Sequence, residues 1–424
     1  MIAIIQPSSI FGEINIPPSK SMMQRACALA LLHHGETIIV NPGVCDDDKT
    51  AISIIQNLGA KVDTISSNQI HIISDGQLHP PKMLHCGESG LSLRMFAFIC
   101  AISGEAITLT GEGSLLKRSM IPMLSIFDKL NISYTSNAGF LPITIMGKLQ
   151  PQNIHIDAGN SSQYLTGLLF AFAKLASQPI QIQVQGLVSK PYIDLSIQAL
   201  KHFGYDVTHH HYQTFNILPT KPNNQNVEIA IEGDWSSASF FLVAAALKGN
   251  LKIKGLQLDS VQADKKIMDV LSLANVVVLA QSSELVVEKS LQIKSFEFDA
   301  TECPDLFPSI VLLAMHGNGS SKIKGVHRLQ NKESNRAATI MEAFNKLGGK
   351  VAIVEDLMIV EGNCELIGCV VSAHHDHRIA MALSIAGLLA KGETTIEQAD
   401  SVNKSYPQFF EHLKSLNASV TLLK

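Results

Sequence analysis

The stretch Gly159–Gly186, GNSSQYLTGLLFAFAKLASQPIQIQVQG, reads as a polar cluster, a helix, a small-residue break and a strand. Its helical part, YLTGLLFAFAKLA, carries apolar side chains on nearly every face, the mark of a helix enclosed by other elements rather than lying on a surface. The same order recurs six times along the chain, at intervals of roughly 70 residues. The clusters are Ser19-Lys20-Ser21, Gly87-Glu88-Ser89-Gly90, Gly159 to Gln163, Gly233 to Ser237, Cys303-Pro304-Asp305 and His375 to Arg378. Behind them come MMQRACALALL, LSLRMFAFICAI, YLTGLLFAFAKLA, ASFFLVAAALK, LFPSIVLLAMH and IAMALSIAGLLA. Each helix leads to a strand that ends at Gly43, Gly111, Gly186, Gly255, Gly325 or Ala399. An amphipathic helix follows, closed in several copies by glycine before a further strand, as in NLGAKV, HFGYDV and KLGGKV.

Three repeats fill residues 17–232 and three fill 233–424, which predicts two similar α/β domains. An opening strand, Ile2 to Ile16, is left over ahead of Pro17-Pro18. It is expected to pair into the C-terminal half, so that one domain comprises 1–16 plus 233–424 and the other 17–232. Both connections then pass near Pro17 and Gly233 as a two-strand hinge, with the active site in the cleft between the domains.

Six buried helices that all begin at polar clusters present unpaired N–H groups and partial positive charge, which suits anionic ligands. Lys20, Arg25, Arg94, Arg118, Lys190, Lys332, Arg336, Arg378 and Lys404 all lie near a helix start or a strand-to-helix loop. In a chain of 33 basic and 37 acidic residues that grouping is informative. The net charge of −4 argues against nucleic acid or an anionic membrane as the main partner. Seven scattered cysteines without a C-x-x-C pair point to a reducing, cytoplasmic setting. No apolar run approaches the roughly 18 residues of a membrane span. The histidines at 209–211 and 374–377 lack spaced partners of a metal site, so no metal and no cofactor is expected. The segment Leu218 to Val227 reads as a solvated loop.

Eight segments in order, IPPSKSMMQRA, GNSSQYLTGLL, SKPYIDL, EGDWSSASFF, PDLFPSIVLLA, NKESNRA, HDHRIAMALS and NKSYPQFFEHL, resemble the signatures of the 5-enolpyruvylshikimate-3-phosphate synthase family. The resemblance covers essentially the whole chain. It implies two domains, each of three βαβαββ units around buried parallel helices, an inside-out α/β barrel. It also implies transfer of the enolpyruvyl group of phosphoenolpyruvate to the 5-hydroxyl of shikimate 3-phosphate, with release of phosphate, in a monomer acting on small molecules.

On the matching positions the resemblance implies that Ser21 and Arg25 hold the shikimate carboxylate and that Lys20 reaches both substrates. Ser161, Ser162 and Ser189 receive the shikimate phosphate, Gln163 lies between the ligands, and Tyr192 packs near the ring. Arg118 and Lys404 meet the phosphate of phosphoenolpyruvate, Arg336 and Arg378 its carboxylate, and Gly90 lines that pocket. Asp305 is the implied base near the 5-hydroxyl, with Lys332 alongside, both of them also counted in the shikimate 3-phosphate site, and Glu333 is the carboxyl nearest the methylene carbon. Taken without the resemblance, Asp305 after Pro304 reads as an N-cap.

The second cluster departs from the family, with Glu88-Ser89-Gly90-Leu91 in place of Asn-Ala-Gly-Thr, and Ser119 rather than proline after Arg118. A carboxylate beside incoming anions must be turned away, protonated or paired, and pairing of Glu88 with Arg118 is expected. The sister transferase acting on UDP-N-acetylglucosamine carries a loop cysteine and a Lys-Asn pair; here Gly111 to Pro122 has no cysteine and the first cluster is Ser-Lys-Ser. A catalytically inactive homologue is a further alternative, against which Lys20, Asp305, Glu333 and Arg336 stand intact.

Overall fold

The computed structural model describes residues 1–220, 225–281 and 284–423, so positions 221–224 of the expected loop lie outside the described residues. The chain forms two compact units, Met1–Pro17 with Gly233–Lys424, and Pro18–Glu232. At the crossings Asp234 N donates to Pro17 O in the first unit, and Ser19 N donates to Glu232 O in the second.

Three apolar helices form the centre of each unit. In the second they are Lys20–Leu32, Gly90–Cys100 and Gln163–Leu175. In the first they are Trp235–Lys248, Phe307–Ala314 and His377–Leu389. Every residue of Gly90–Cys100 is buried, as is every residue of Trp235–Lys248 before the terminal lysine. Full burial of a Leu, Ile or Phe side chain contributes about 1.5–3 kcal/mol, so these helices hold their units together by packing rather than by propensity. The helix Phe307–Ala314 is shorter because Pro304 and Pro308 confine its start to a 3₁₀ turn, Pro304–Leu306.

The sheets wrap these helices and share one design. In the sheet of the quoted stretch, Ile154–Asp157 pairs in parallel with Ile180–Gln185, which pairs antiparallel with Thr214–Ile217, itself antiparallel to Val207–His210. The first two strands flank the buried helix, and the last two form a hairpin. Ile180, Ile182 and Val184 face the core while Gln183 and Gln185 face water, the alternation a strand with one covered face requires. Five other four-stranded sheets repeat this order. One amphipathic helix follows the second strand of each sheet, before a hairpin in five of them and before Val420–Leu423 in the sixth: Asp46–Asn57, Ile121–Lys129, Lys190–His202, Ile267–Leu273, Arg336–Lys346 and Phe409–Ser415. The glycines of NLGAKV, HFGYDV and the first of KLGGKV have φ of +112°, +83° and +95°, the left-handed stop that closes a helix. The arrangement is inside-out in that helices are enclosed by sheets. Among the described residues each sheet keeps two open edges, so no strand barrel closes.

The opening strand differs from the expectation. It is two strands in two sheets, because Pro7 and the serines after it interrupt the ladder. Ile2–Ile5 lies between Thr394–Glu397 and Val420–Leu423, whereas Ile10–Asn15 runs parallel to Gly249–Lys254. Both pair with the C-terminal half. In the other unit Val227–Ala230 is the parallel partner of His34–Val40. No helix among the described residues is long and apolar enough to cross a membrane.

Candidate active site

In the unit Pro18–Glu232, each buried helix starts at a serine-bearing cluster. Ser19 caps Lys20–Leu32 by accepting from Met22 N, and Ser89 caps Gly90–Cys100 by accepting from Ser92 N. The hydroxyls of Ser89 and Ser92 both donate to Gln24 Oε1, at 3.0 and 2.9 Å, which locks the first two helix starts together. Arg25 is 1% exposed and ties the first repeat to the third: Nε donates to Ser196 Oγ at 2.9 Å and Nη2 to Tyr192 O at 3.1 Å. Its Nη1 reaches back to Ser21 O at 2.7 Å. Burial pulls the Arg25 guanidinium down to about 10, still charged at neutral pH. Thr166 Oγ1 meets Ser196 Oγ at 2.9 Å, so the helices beginning after Ser162 and Ser189 are bonded side by side. Ser189 itself has φ +55°, and neither Ser162 nor Ser189 spends its hydroxyl on capping its own helix. Ser161 Oγ accepts from Gln163 N at 3.2 Å.

Lys20 Nζ lies 3.0 Å from Asp47 Oδ2, a partner in the first turn of Asp46–Asn57. The next residue, Asp48, is 2% exposed, and its Oδ2 accepts from Cys45 N at 3.2 Å. Burial pushes the Asp48 carboxyl up to about 7. On the second repeat, Arg94 Nη1 donates to Gln163 Oε1 at 2.7 Å, and its guanidinium lies 5.4 Å from the Tyr164 ring centre. A side chain at Gly90 would meet Arg118 Nη1 at 2.9 Å and Arg94 Nη1 at 3.1 Å, so glycine there leaves two guanidinium groups a shared open face. The expected pairing of Glu88 with Arg118 runs through Ser114, which donates to Glu88 Oε2 and accepts from Arg118 Nη2.

In the other unit the centre is Asp305, held by three cations rather than serving as a helix cap. Its Oδ1 accepts from Lys332 Nζ at 3.1 Å and Arg336 Nη1 at 2.7 Å, and its Oδ2 lies 3.1 Å from Arg378 Nη2. Burial pushes the Asp305 carboxyl up, but Arg378, Lys332 and Arg336 outweigh it and hold the group well below the usual carboxylate range. Burial lowers the Lys332 ammonium, against the pull of Asp305. Arg336 is fully buried and spends all three nitrogens: Nε on Asp376 Oδ2 at 2.9 Å, Nη1 on Asp305, and Nη2 on Glu333 Oε2 at 2.7 Å and Asp376 Oδ1 at 3.1 Å. Burial alone would weaken its charge, yet Asp376, Glu333 and Asp305 raise its proton affinity above that of a free guanidinium. Lys404 Nζ stands 3.9 Å from Glu333 Oε1. Asp264, bonded by the Ser236 hydroxyl, is raised to about 6 by burial and by the charge of Asp305, against Arg378.

Glu333, Asp376 and His377 place possible ligand atoms within 4.8 Å of one another. Arg336 is ion-paired with both carboxylates, 2.7 Å from Glu333 and 2.9 Å from Asp376. His209 stacks on Tyr212 with ring centres 4.1 Å apart beside a hairpin turn, a structural use of that histidine run.

The positions taken from the resemblance therefore fall into two sets. Lys20, Ser21, Arg25, Gly90, Arg118, Ser161, Ser162, Gln163, Ser189 and Tyr192 lie in one unit, and Asp305, Lys332, Glu333, Arg336, Arg378 and Lys404 in the other. Three partners escaped the sequence reading. Asp376 braces Arg336 and bonds Arg378 N at 3.0 Å, Asp47 pairs with Lys20, and Gln24 joins two helix starts. Asp376 stands inside the HDHR cluster and Asp47 inside DDDK, so a signal was there.

The fold of buried helices enclosed by sheets is that of solved enolpyruvyl transferases. A solved enolpyruvyl transferase, NikO from Streptomyces tendae, shares it with a TM-score of 0.79 at 17% identity, over 99% of this chain and 98% of that one. EPSP synthase from Acinetobacter baumannii superposes with a TM-score of 0.85 at 22% identity, over 99% of this chain and all of that one. The sequence profile of EPSP synthase (3-phosphoshikimate 1-carboxyvinyltransferase) matches residues 4–413. The chain is 34% identical over 420 residues to the 3-phosphoshikimate 1-carboxyvinyltransferase of Clostridium beijerinckii, covering 97% of this chain and 96% of the relative. It is 33% identical over 425 residues to that of Methanocorpusculum labreanum, covering 99% of each. The chain belongs to the EPSP synthase family.

Proposed function

We propose that the chain transfers the enolpyruvyl group of phosphoenolpyruvate to the 5-hydroxyl of shikimate 3-phosphate, releasing phosphate. The observation that carries this reading is the grip of Lys332, Arg336 and Arg378 on Asp305, a carboxylate kept ionised among cations that suit a second anion. Full-length likeness to relatives that bear this enzyme name supports the same reaction.

In this reading Ser161, Ser162, Ser189 and the N–H groups of their helix starts bind the shikimate phosphate, while Ser21 and Arg25 take its carboxylate. Lys20 serves both ligands and Gln163 lies between them. Arg118 and Lys404 bind the phosphate of phosphoenolpyruvate beside Gly90, and Arg336 and Arg378 bind its carboxylate as planar donors. Tyr192 packs near the shikimate ring.

Addition removes a proton from the 5-hydroxyl and delivers one to the methylene carbon as the 5-oxygen bonds to C2 of phosphoenolpyruvate; elimination then returns a proton from the new methyl group to the carboxylate that supplied it, as the bond from C2 to the phosphate oxygen breaks and phosphate leaves. Asp305 takes the first and Glu333 supplies the second. Arg336 offers Asp305 and Glu333 the same Nη groups that a substrate carboxylate would use. An arriving carboxylate thus exchanges with these side chains, and Asp305 gains proton affinity as it loses one of its three cations. Basicity then appears when substrate is bound, which matches the proton it must accept.

Phosphate release assayed with both substrates tests the reading. Release is expected from phosphoenolpyruvate only when shikimate 3-phosphate is present. Release supported by UDP-N-acetylglucosamine instead would assign the chain to the sister reaction, and no release with either acceptor would mark an inactive homologue.

A further inference from the structure

We infer that Glu88 and Ser114 form a tether that positions the Arg118 guanidinium over Gly90, making both of them positioning residues for the phosphoenolpyruvate phosphate. This rests on the assignment of Arg118 to that phosphate. The Ser114 hydroxyl donates to Glu88 Oε2 at 3.3 Å, and Ser114 N approaches the same oxygen at 3.4 Å. Its oxygen in turn accepts from Arg118 Nη2 at 3.2 Å. A hydroxyl that gives its proton to a carboxylate becomes a better acceptor, so the charge of Glu88 reaches Arg118 through one serine. With Nη2 anchored, Nη1 is left at the face of Gly90, 2.9 Å from where a side chain there would begin.

The backbone is shaped for the tether. Gly113, the residue before Ser114, has φ +55°, and a side chain on it would collide with the Glu88 carboxyl group. Glycine at 113 therefore permits both the turn and the close approach of Glu88 to Ser114. The acidic residue that departs from the family pattern thus has a structural task. It faces the serine rather than the anion, which explains how a carboxylate is tolerated beside an anion site.

The test is a comparison of steady-state constants for Ser114→Ala, Glu88→Ala and Glu88→Gln, with folding checked by thermal unfolding. Loss of a charge-assisted hydrogen bond should raise the KM for phosphoenolpyruvate by about tenfold in Ser114→Ala and in Glu88→Ala. Glu88→Gln, which keeps an acceptor for the hydroxyl but removes the charge, should raise that KM by less than Glu88→Ala does, and the KM for shikimate 3-phosphate should not move in any of the three. The double variant Glu88→Ala, Ser114→Ala should be no worse than either single one, because the two residues act as one unit. An unchanged phosphoenolpyruvate KM in the single variants, additive effects in the double, or an equal rise for both substrates would overturn the tether alone. A wild type that releases no phosphate would overturn the assigned reaction and the tether's role with it.

Discussion

At the scale of single residues, Asp305 is the base of the proposed reaction, and its surroundings separate binding from turnover under that proposal. Its carboxylate touches Lys332, Arg336 and Arg378, none of which belongs to the set assigned to the shikimate phosphate. Asp305→Ala should therefore keep its affinity for shikimate 3-phosphate in calorimetry while turnover falls by about 10²–10⁴, the usual worth of a positioned base. Affinity lost in step with turnover would make Asp305 a structural residue. Asp48 permits a second prediction, on stability. Its folded value of about 7 lies above the roughly 3.8 of an unfolded aspartate, so the native state binds more protons and stability falls as pH rises between those values. Asp48→Asn keeps an acceptor for Cys45 N and removes that cost. Its advantage over wild type in denaturant unfolding should grow by about 2–4 kcal/mol from pH 4 to pH 8. A difference that does not vary with pH would contradict the burial argument. Most of the motif residues were legible because they sit in short signature segments, whereas Gly90 and Arg118 lie outside all eight. Asp376 and Asp47 were not singled out, because the job of each is to hold another side chain, and that depends on which helix start packs against which.

Elements were the most legible scale. The apolar helices announced themselves because no solvent-facing stripe interrupts them, and the glycines closing the amphipathic helices were visible for the same elementary reason. The opening strand was misread as one because an alternating apolar pattern on both sides of Pro7 hides a change of sheet. Close helix contacts were equally invisible in sequence. Gly167 in Gln163–Leu175 is an example: an added methyl would meet Met95 O at 2.8 Å and Met95 Cα at 2.9 Å across the interface with Gly90–Cys100. Helix propensity favours alanine over glycine by about 1 kcal/mol, whereas overpacking against backbone costs about 1–3 kcal/mol. The second effect should win, so Gly167→Ala should unfold at a lower temperature than wild type. A raised melting temperature would mean that the two helices separate freely at this point.

At the scale of the whole chain, the sixfold order of clusters, helices and sheets divides the chemistry. Lys20 and its hydroxyl neighbours belong to one compact unit and Asp305 with its cations to the other. The repeat was legible because each copy keeps the same succession of polar and apolar segments. What each unit presents was legible only through the signature segments, since lysine and arginine near loop ends are common in any soluble protein. The central claim is the proposed enolpyruvyl transfer, and Lys20 tests it from the unit that does not contain Asp305. Its side chain is only 16% exposed, and its ammonium pairs with Asp47 at 3.0 Å. The decisive measurement is phosphate release by Lys20→Met, with circular dichroism establishing that the fold persists. A loss of about 10²–10³ in turnover is expected for a charge that stabilises the reacting anions, whereas activity within about threefold of wild type would contradict the proposed reaction.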